Sequence, residues 1–313
     1  MGKYPIRKDL HRMSYYKVPV FKVLIPLMNF CLTVMKKEIC SDERVRVRKV
    51  IIPGDQGREL LLRIFEPIDC KEPSYCLFYC HGGGFFLKAC AFHYRNAKLY
   101  AIHTPCKVIF VEYHLAPKYP YPIPVKDCFV AYQWVLNHAQ GLRIQPKKIA
   151  IGGDSAGGNI AATLAIMLRD QKLVMPCFQL LIYPVIDYRM KTKSMRRFLD
   201  TPITNLKVIQ KMWSYYLNGN VPQGRDKRYL SLMEQEDYSR LPDAYVETAE
   251  FDCLHDEAIA YAKRLVSAGC KVEINETKGT VHGFDCIEKS QLVHLCLKRR
   301  VHVLKAAFSE KKS

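Results

Sequence analysis

At 313 residues, with 49% hydrophobic and 25% charged side chains and no low-complexity tract, the chain suits one large α/β domain or two modest ones and excludes a disordered or fibrous protein. Lys and Arg number 48 against 30 Asp and Glu, a formal net charge of +18. The basic residues are spread over both ends and most helices rather than gathered on a module with stacking aromatics, so the reading is a solvated basic surface and no nucleic-acid partner. The thirteen cysteines are odd in number and scattered singly with no Cys-x-x-Cys pair, which argues against a disulfide framework or a metal site and for small buried hydrophobes in a reducing cytoplasm.

Residues 1–48 read as a basic helical segment. The run from Val18 to Met35 invites a test as a membrane anchor, but Lys22, Pro26 and Asn29 interrupt it, where a spanning helix needs about 18 predominantly apolar residues. No small-residue cleavage site follows. Gly2 raises N-myristoylation, yet Ile6 stands where Ser or Thr is wanted. The expectation is an apolar helix pair that docks onto something, with contact to an anionic membrane surface left open.

The alternation in ERVRVRKVIIPG announces a first strand, and RELLLRIFEP a second, closed by Pro67. YCLFYC (Tyr75–Cys80) is a short continuous apolar run, as in a strand buried on both faces, and leads directly into HGGGFF. A helix near FHYRNAKLYAIH precedes another buried strand, CKVIFVEY. Asp127 is then expected to cap the helix CFVAYQWVLNHAQ, with Gly141 ending it. The strand KIAIGG and its helix follow, then the strand CFQLLIYP.

Between about Met190 and Tyr238 the rhythm lapses. TNLKVIQKMWSYYLNG has Leu206, Ile209, Trp213 and Tyr216 on one helical face and stops at Asn218-Gly219. DAYVETAE, DEAIAYAKRLVSAG, KVEINETK and a last helix from about Glu288 complete the chain. Strand–helix repetition with buried runs implies a mostly parallel central sheet flanked by helices. The irregular segments imply a helical cap over its carboxyl edge. The organisation expected is a cap segment 1–48, a core 49–189, a cap insertion 190–238 and the rest of the core 239–313.

Gly153-Asp154-Ser155-Ala156-Gly157 fits a Gly-x-Ser-x-Gly elbow, with a strand before it and a helix after it. The small residues two places away let the serine sit in a strained turn with its hydroxyl lifted above the sheet. A serine hydroxyl needs a base, and the chain order for such an elbow is Ser, then Asp or Glu, then His. Only His255, His282, His294 and His302 follow Ser155. His294 and His302 fall within the last helix and His255 at a helix start, whereas His282 lies in a glycine-flanked loop just after a strand. For the acid, Asp252 directly follows its strand and precedes His282; Glu250 is the nearest rival. Asp256 falls in the next helix, and Asp187 and Asp200 come early. HGGGF (His81–Phe85) supplies glycines whose N–H groups can face a developing oxyanion: Gly83 and Gly84, with the Ala156 N–H completing the set. His81 reads as shaping the loop.

On HGGGF, EYHLAPKYPYP, GGDSAGGN, EFDCLHDE and VHGF, the chain resembles the hormone-sensitive-lipase-like esterases of the α/β-hydrolase fold over roughly Val50 to Phe284. The resemblance implies that fold with a helical cap, carboxylic-ester hydrolysis without a cofactor, a triad at Ser155, Asp252 and His282, and oxyanion donors at Gly83, Gly84 and Ala156. Phe85, Trp213 and Tyr216 are the residues expected to bind a small-molecule ester, although docking onto the sheet is the commoner role for such positions. Met195, Phe198 and Met212 share that ambiguity. The stretch Glu112 to Lys118 departs from the family's Asp-Tyr-Arg-Leu-Ala-Pro-Glu, losing an arginine and an acid, so a local ion pair is expected to be missing. An amidase or deacetylase, a lipase and a non-catalytic ligand-binding member stay open, as does a homodimer.

Overall fold

The computed structural model describes residues 3–34 and 41–310; Gly2 and Met35, singled out above, lie outside the described residues. The strands are β1 (Val45–Pro53), β2 (Glu59–Pro67), β3 (Ser74–Cys80), β4 (Cys106–Glu112), β5 (Ile144–Asp154), β6 (Gln179–Ile182), β7 (Ala244–Phe251) and β8 (Val272–Val281). They form one eight-stranded sheet in the order β1-β2-β4-β3-β5-β6-β7-β8. The β1–β2 and β2–β4 pairs are antiparallel and every later pair is parallel. The continuous apolar strands are the interior ones, because helices cover both faces and leave no side for polar alternation. β1, at the edge, alternates and carries Arg46, Arg48 and Lys49, charges that discourage pairing with another sheet.

Helices α2 (Ala91–His103), α3 (Ile123–Asn137), α4 (Ala156–Asp170), α8 (His255–Ser267) and α9 (Gln291–Ser309) flank the sheet. The register that pairs Cys80 of β3 with Gly153 of β5 sets the HGGGF loop beside the serine turn. The remaining helices are α1 (Ile25–Val34) in the N-terminal segment; α5 (Lys193–Arg197), which touches α8; α6 (Leu206–Leu217); and α7 (Gly224–Leu230), which touches α4. Asn205 caps α6 by accepting from the Val208 N–H at 3.2 Å, and Asn218, left-handed at φ 48°, ends it. The two irregular segments meet: the Ile203 N–H donates to the Tyr16 carbonyl at 3.2 Å, Tyr215 Oη donates to the Val20 carbonyl, and Lys3 and Tyr4 reach Asp200.

Some local expectations are corrected. Asp127 lies inside α3, not at its start, and accepts from the His114 N–H at 2.9 Å. The helix ends at Asn137, four positions before Gly141. The departure at residues 112–118 leaves no gap in pairing: His114 Nδ1 lies 2.7 Å from Asp127 Oδ2, and Glu112 takes Arg63 Nε at 2.6 Å. Asp127 is a fixed acceptor for the chain at that turn.

Candidate active site

β5 carries the chain into Asp154 and Ser155, and α4 starts at the next residue. Ser155 has φ 54° and ψ −120°, a conformation that residues with a Cβ rarely hold. Neighbouring strand ends over-determine it: its N–H donates to the Ile182 carbonyl at 2.9 Å, and its carbonyl accepts from the Val185 N–H at 3.0 Å. A side chain at Gly157 would run into the Cys80 carbonyl, so β3 can approach the turn only because that position is bare.

His282 follows β8 immediately, and Gly283, at φ 68°, turns the chain away behind it. The Ser155 Oγ–H donates to His282 Nε2 at 2.8 Å, and the His282 Nδ1–H donates to Asp252 Oδ2 at 2.6 Å. Asp252, one residue beyond β7, also accepts the Leu254 N–H on Oδ1 at 3.0 Å. Both carboxylate oxygens are thus occupied by donors, which is what lets a carboxylate sit fully buried. Because an ionised carboxylate only accepts, its contact assigns the proton to Nδ1 and leaves Nε2 to accept. The alternatives lie elsewhere. Glu250 takes the Gly279 N–H at 2.7 Å, Asp187 pairs with Arg189, and His255 sits between Asp256 and Glu276. His294 and His302 are in α9.

Gly83 and Gly84 have φ of 109° and 61°. A Cβ on Gly83 would come within 2.5 Å of the Leu87 carbonyl oxygen. Among the described residues, no acceptor of the chain takes the N–H of Gly83, Gly84 or Ala156. Gly83, Gly84, Ser155 and His282 share one cavity of about 190 Å³. Ile203, Val208, Ile209 and Met212 also line it, with Val18 and Leu32 from the N-terminal segment. A larger cavity of about 670 Å³ opens beside α1 and residues 113–119 and contains neither Ser155 nor His282.

Phe85, Trp213 and Tyr216 are not in the lining. Phe85 stacks on Tyr216 with ring centroids 3.8 Å apart, and Trp213 lies 5.8 Å from Phe85. All three are buried and fasten α6 to the HGGGF loop. The helix presents Met212, Ile209 and Val208 to the cavity instead. Met195 and Phe198 are also buried outside the lining, Phe198 against Tyr4 and Phe251.

Asp154, the residue before the serine, is buried and takes the Tyr79 Oη–H at 2.8 Å, the Gly82 N–H at 3.1 Å and His93 Nε2 at 3.0 Å. Burial alone would push its carboxyl up, but the His93 charge together with the hydrogen bonds from His93 and Tyr79 holds the group below its ordinary 3.8. Burial would likewise lower His93, and Asp154 holds it well above its ordinary 6.5. The two form an ion pair behind the HGGGF loop. His81 stacks on Tyr113 at 4.4 Å, and burial, then the His93 charge, press it down to about 4. It is therefore a neutral wall of the loop at ordinary pH.

One supporting cluster escapes sequence reasoning. The Tyr183 ring lies 4.7 Å from His282, and its hydroxyl donates to Asp285 Oδ2 at 2.6 Å. Arg300 of α9, almost fully buried, donates to Asp285 Oδ1 at 2.8 Å and also to Glu247. In the sequence Arg300 belongs to LKRR, which reads as surface charge; only its place on the inward face of α9 could have singled it out.

A family model described as the alpha/beta hydrolase fold matches residues 77–286. The chain belongs to this family. Among its relatives, the carboxylesterase NlhH of Mycobacterium tuberculosis is 33% identical over 241 residues, covering 77% of this chain and 76% of the relative. The arylesterase of Saccharolobus solfataricus is 34% identical over 238 residues, covering 72% and 73%. Of solved structures, a bacterial heroin esterase superposes with a TM-score of 0.89 at 30% identity, covering 99% of this chain and 100% of that one. The α/β-hydrolase fold and the eight-stranded, mostly parallel sheet agree with these matches.

Proposed function

We infer that this chain is a carboxylic ester hydrolase that works through a serine acyl-enzyme. The observation that carries the reading is the His282 imidazole, hydrogen-bonded on one side to Ser155 Oγ and on the other to Asp252, at the base of an apolar cavity beside unpaired glycine amides. The similarity to proteins named as esterases supports the ester class.

His282 Nε2 takes the Ser155 proton as Oγ attacks the ester carbonyl carbon. The carbonyl electron pair moves to its oxygen, which the N–H groups of Gly83, Gly84 and Ala156 stabilise; a single such donor is worth about 3–4 kcal/mol of barrier. His282 then gives the proton to the departing alkoxide. Water, deprotonated by the same imidazole, releases the acid and restores Ser155. Asp252 holds the imidazole tautomer throughout and stabilises its charged form. Neither half of the cycle needs a cofactor.

Residues 3–34 and 190–238 act together as the cap, and the small apolar cavity suits esters with short acyl groups. Ser155→Ala in pure protein should abolish turnover of a short-chain aryl ester and block labelling by a fluorophosphonate. Retained turnover would defeat the nucleophile assignment. Matched ester and amide substrates test the amidase alternative, which has to expel a poorer leaving group.

A further inference from the structure

Eight of the fifteen large hydrophobic side chains that stand exposed among the described residues fall between Tyr15 and Val34. Within that stretch Val23, Leu27, Phe30 and Val34 follow one another at intervals of four, three and four. That is the spacing of a single helical face, and their exposures run from 56% to 82%. Isolated exposed leucines need no explanation, but a contiguous apolar stripe does.

The stripe is not a helix waiting to settle on its own protein, because the other side of α1 is already fixed. Ile25 is buried. Asn29 donates through Nδ2 to the Phe86 carbonyl at 2.9 Å and accepts the Lys88 N–H on Oδ1 at 2.8 Å, and Lys88 Nζ donates to Thr33 Oγ1 at 3.0 Å. α1 is thus pinned to the end of the oxyanion loop with its apolar stripe turned to solvent.

Charge selects the occupant. From Leu10 to Lys37 there is no Asp or Glu, while Arg12, Lys17, Lys22, Lys36 and Lys37 are all basic. Arg12, Lys17 and Lys22 are exposed, as are Tyr15, Tyr16 and Phe21 among them. Basic side chains and aromatics around an apolar helical face form the pattern that seats in the headgroup layer of an anionic bilayer. A second copy of this chain would instead bring the same lysines against themselves, in a molecule whose net charge is already +18. No helix among the described residues is long and apolar enough to cross a membrane, which fits a segment that lies on the surface.

We propose that the exposed face of α1, with the basic and aromatic residues before it, docks this enzyme on an anionic lipid surface. Val18 and Leu32, from the same segment, line the cavity that holds Ser155, so the docked face lies next to the route by which an apolar ester would enter. That use of the surface rests on the ester-hydrolase reading, but the docking itself does not.

The test is sedimentation of the full chain with phosphatidylglycerol–phosphatidylcholine vesicles and with phosphatidylcholine alone, at low and raised salt. Wild type should pellet with the anionic vesicles and be released by salt. The double variant Leu27→Ser/Phe30→Ser should partition roughly a hundredfold more weakly while turning over a water-soluble aryl ester at the wild-type rate. Ser155→Ala should pellet like wild type, which separates failure of docking from failure of the chemistry. Equal pelleting by the double variant, equal binding to both vesicle types, or no pelleting would overturn the proposal. So would light scattering that shows a wild-type dimer dissolved by the same two substitutions, since the stripe would then belong to a second copy.

Discussion

Replacing Asp252 by Asn isolates what its carboxylate does, because the change is almost isosteric and the surroundings are rigid. Two donors converge on this side chain: the His282 Nδ1–H at 2.6 Å and the Leu254 N–H at 3.0 Å. Asparagine has a single acceptor oxygen, so only one of them can be satisfied. With the oxygen toward Leu254, the amide N–H faces Nδ1 and the imidazole must carry its proton on Nε2. It then meets Ser155 with a donor where a base is needed. With the oxygen toward His282, two N–H groups collide at Leu254 in a fully buried site, which costs about 1–3 kcal/mol. The first arrangement should win, and the wrong tautomer together with the lost negative charge beside the imidazolium should lower kcat by up to about ten-thousandfold, or roughly 5.4 kcal/mol of barrier. Steady-state hydrolysis of a short aryl ester by purified variant and wild type, with thermal melts alongside, measures this. A loss below about tenfold, with the fold intact, would show that Asp252 does not govern the imidazole and would refute the argument.

Arg300→Met should lower stability by about 3–5 kcal/mol, since it leaves Asp285 and Glu247 buried without their partner. At the usual unfolding entropy per residue this is roughly 5–8 °C in Tm, and a shift near zero would mean that the cluster carries little. The His93–Asp154 pair gives a pH signature. His93 is raised above its ordinary 6.5, so its contribution is full below that value and is lost as pH climbs toward the raised one. Asp154 is lowered from 3.8, so its contribution is full above 3.8 and fades as pH falls through the lowered value. The Tm advantage of wild type over His93→Gln should therefore be greatest between these ordinary values and shrink above them, as melts across a pH series will show; a constant difference into the alkaline range contradicts the ion pair.

The sheet was readable in the sequence because its interior strands are short apolar runs bounded by glycine or proline, a pattern that survives any tertiary detail. Ser155, Asp252 and His282 stand out for a related reason: each comes directly at or after the end of a strand, and parallel strands deliver their ends to one edge. What stayed hidden depends on helix facing. Trp213 and Tyr216 share a helix with Met212, and periodicity marks them all as inward without saying which looks into the cavity and which onto Phe85. Arg300 was concealed by composition, since a basic cluster ordinarily means solvent. Asp127 was misplaced because its carboxylate serves the turn at His114 across space, a contact that no local capping rule anticipates.

Residues 3–34 leave the ribosome long before their partners do. Arg7 bonds to the Gly279 carbonyl, Tyr16 to Ile203 and Val20 to Tyr215, so the earlier half of each pair must wait for synthesis to reach the later half. Until then the stretch beyond Asp9, rich in apolar residues and without an acid, has nowhere of its own to go. The nascent chain should be most in need of a chaperone or another temporary cover during that interval, and the roof of the cavity should be among the last parts of the molecule to assemble.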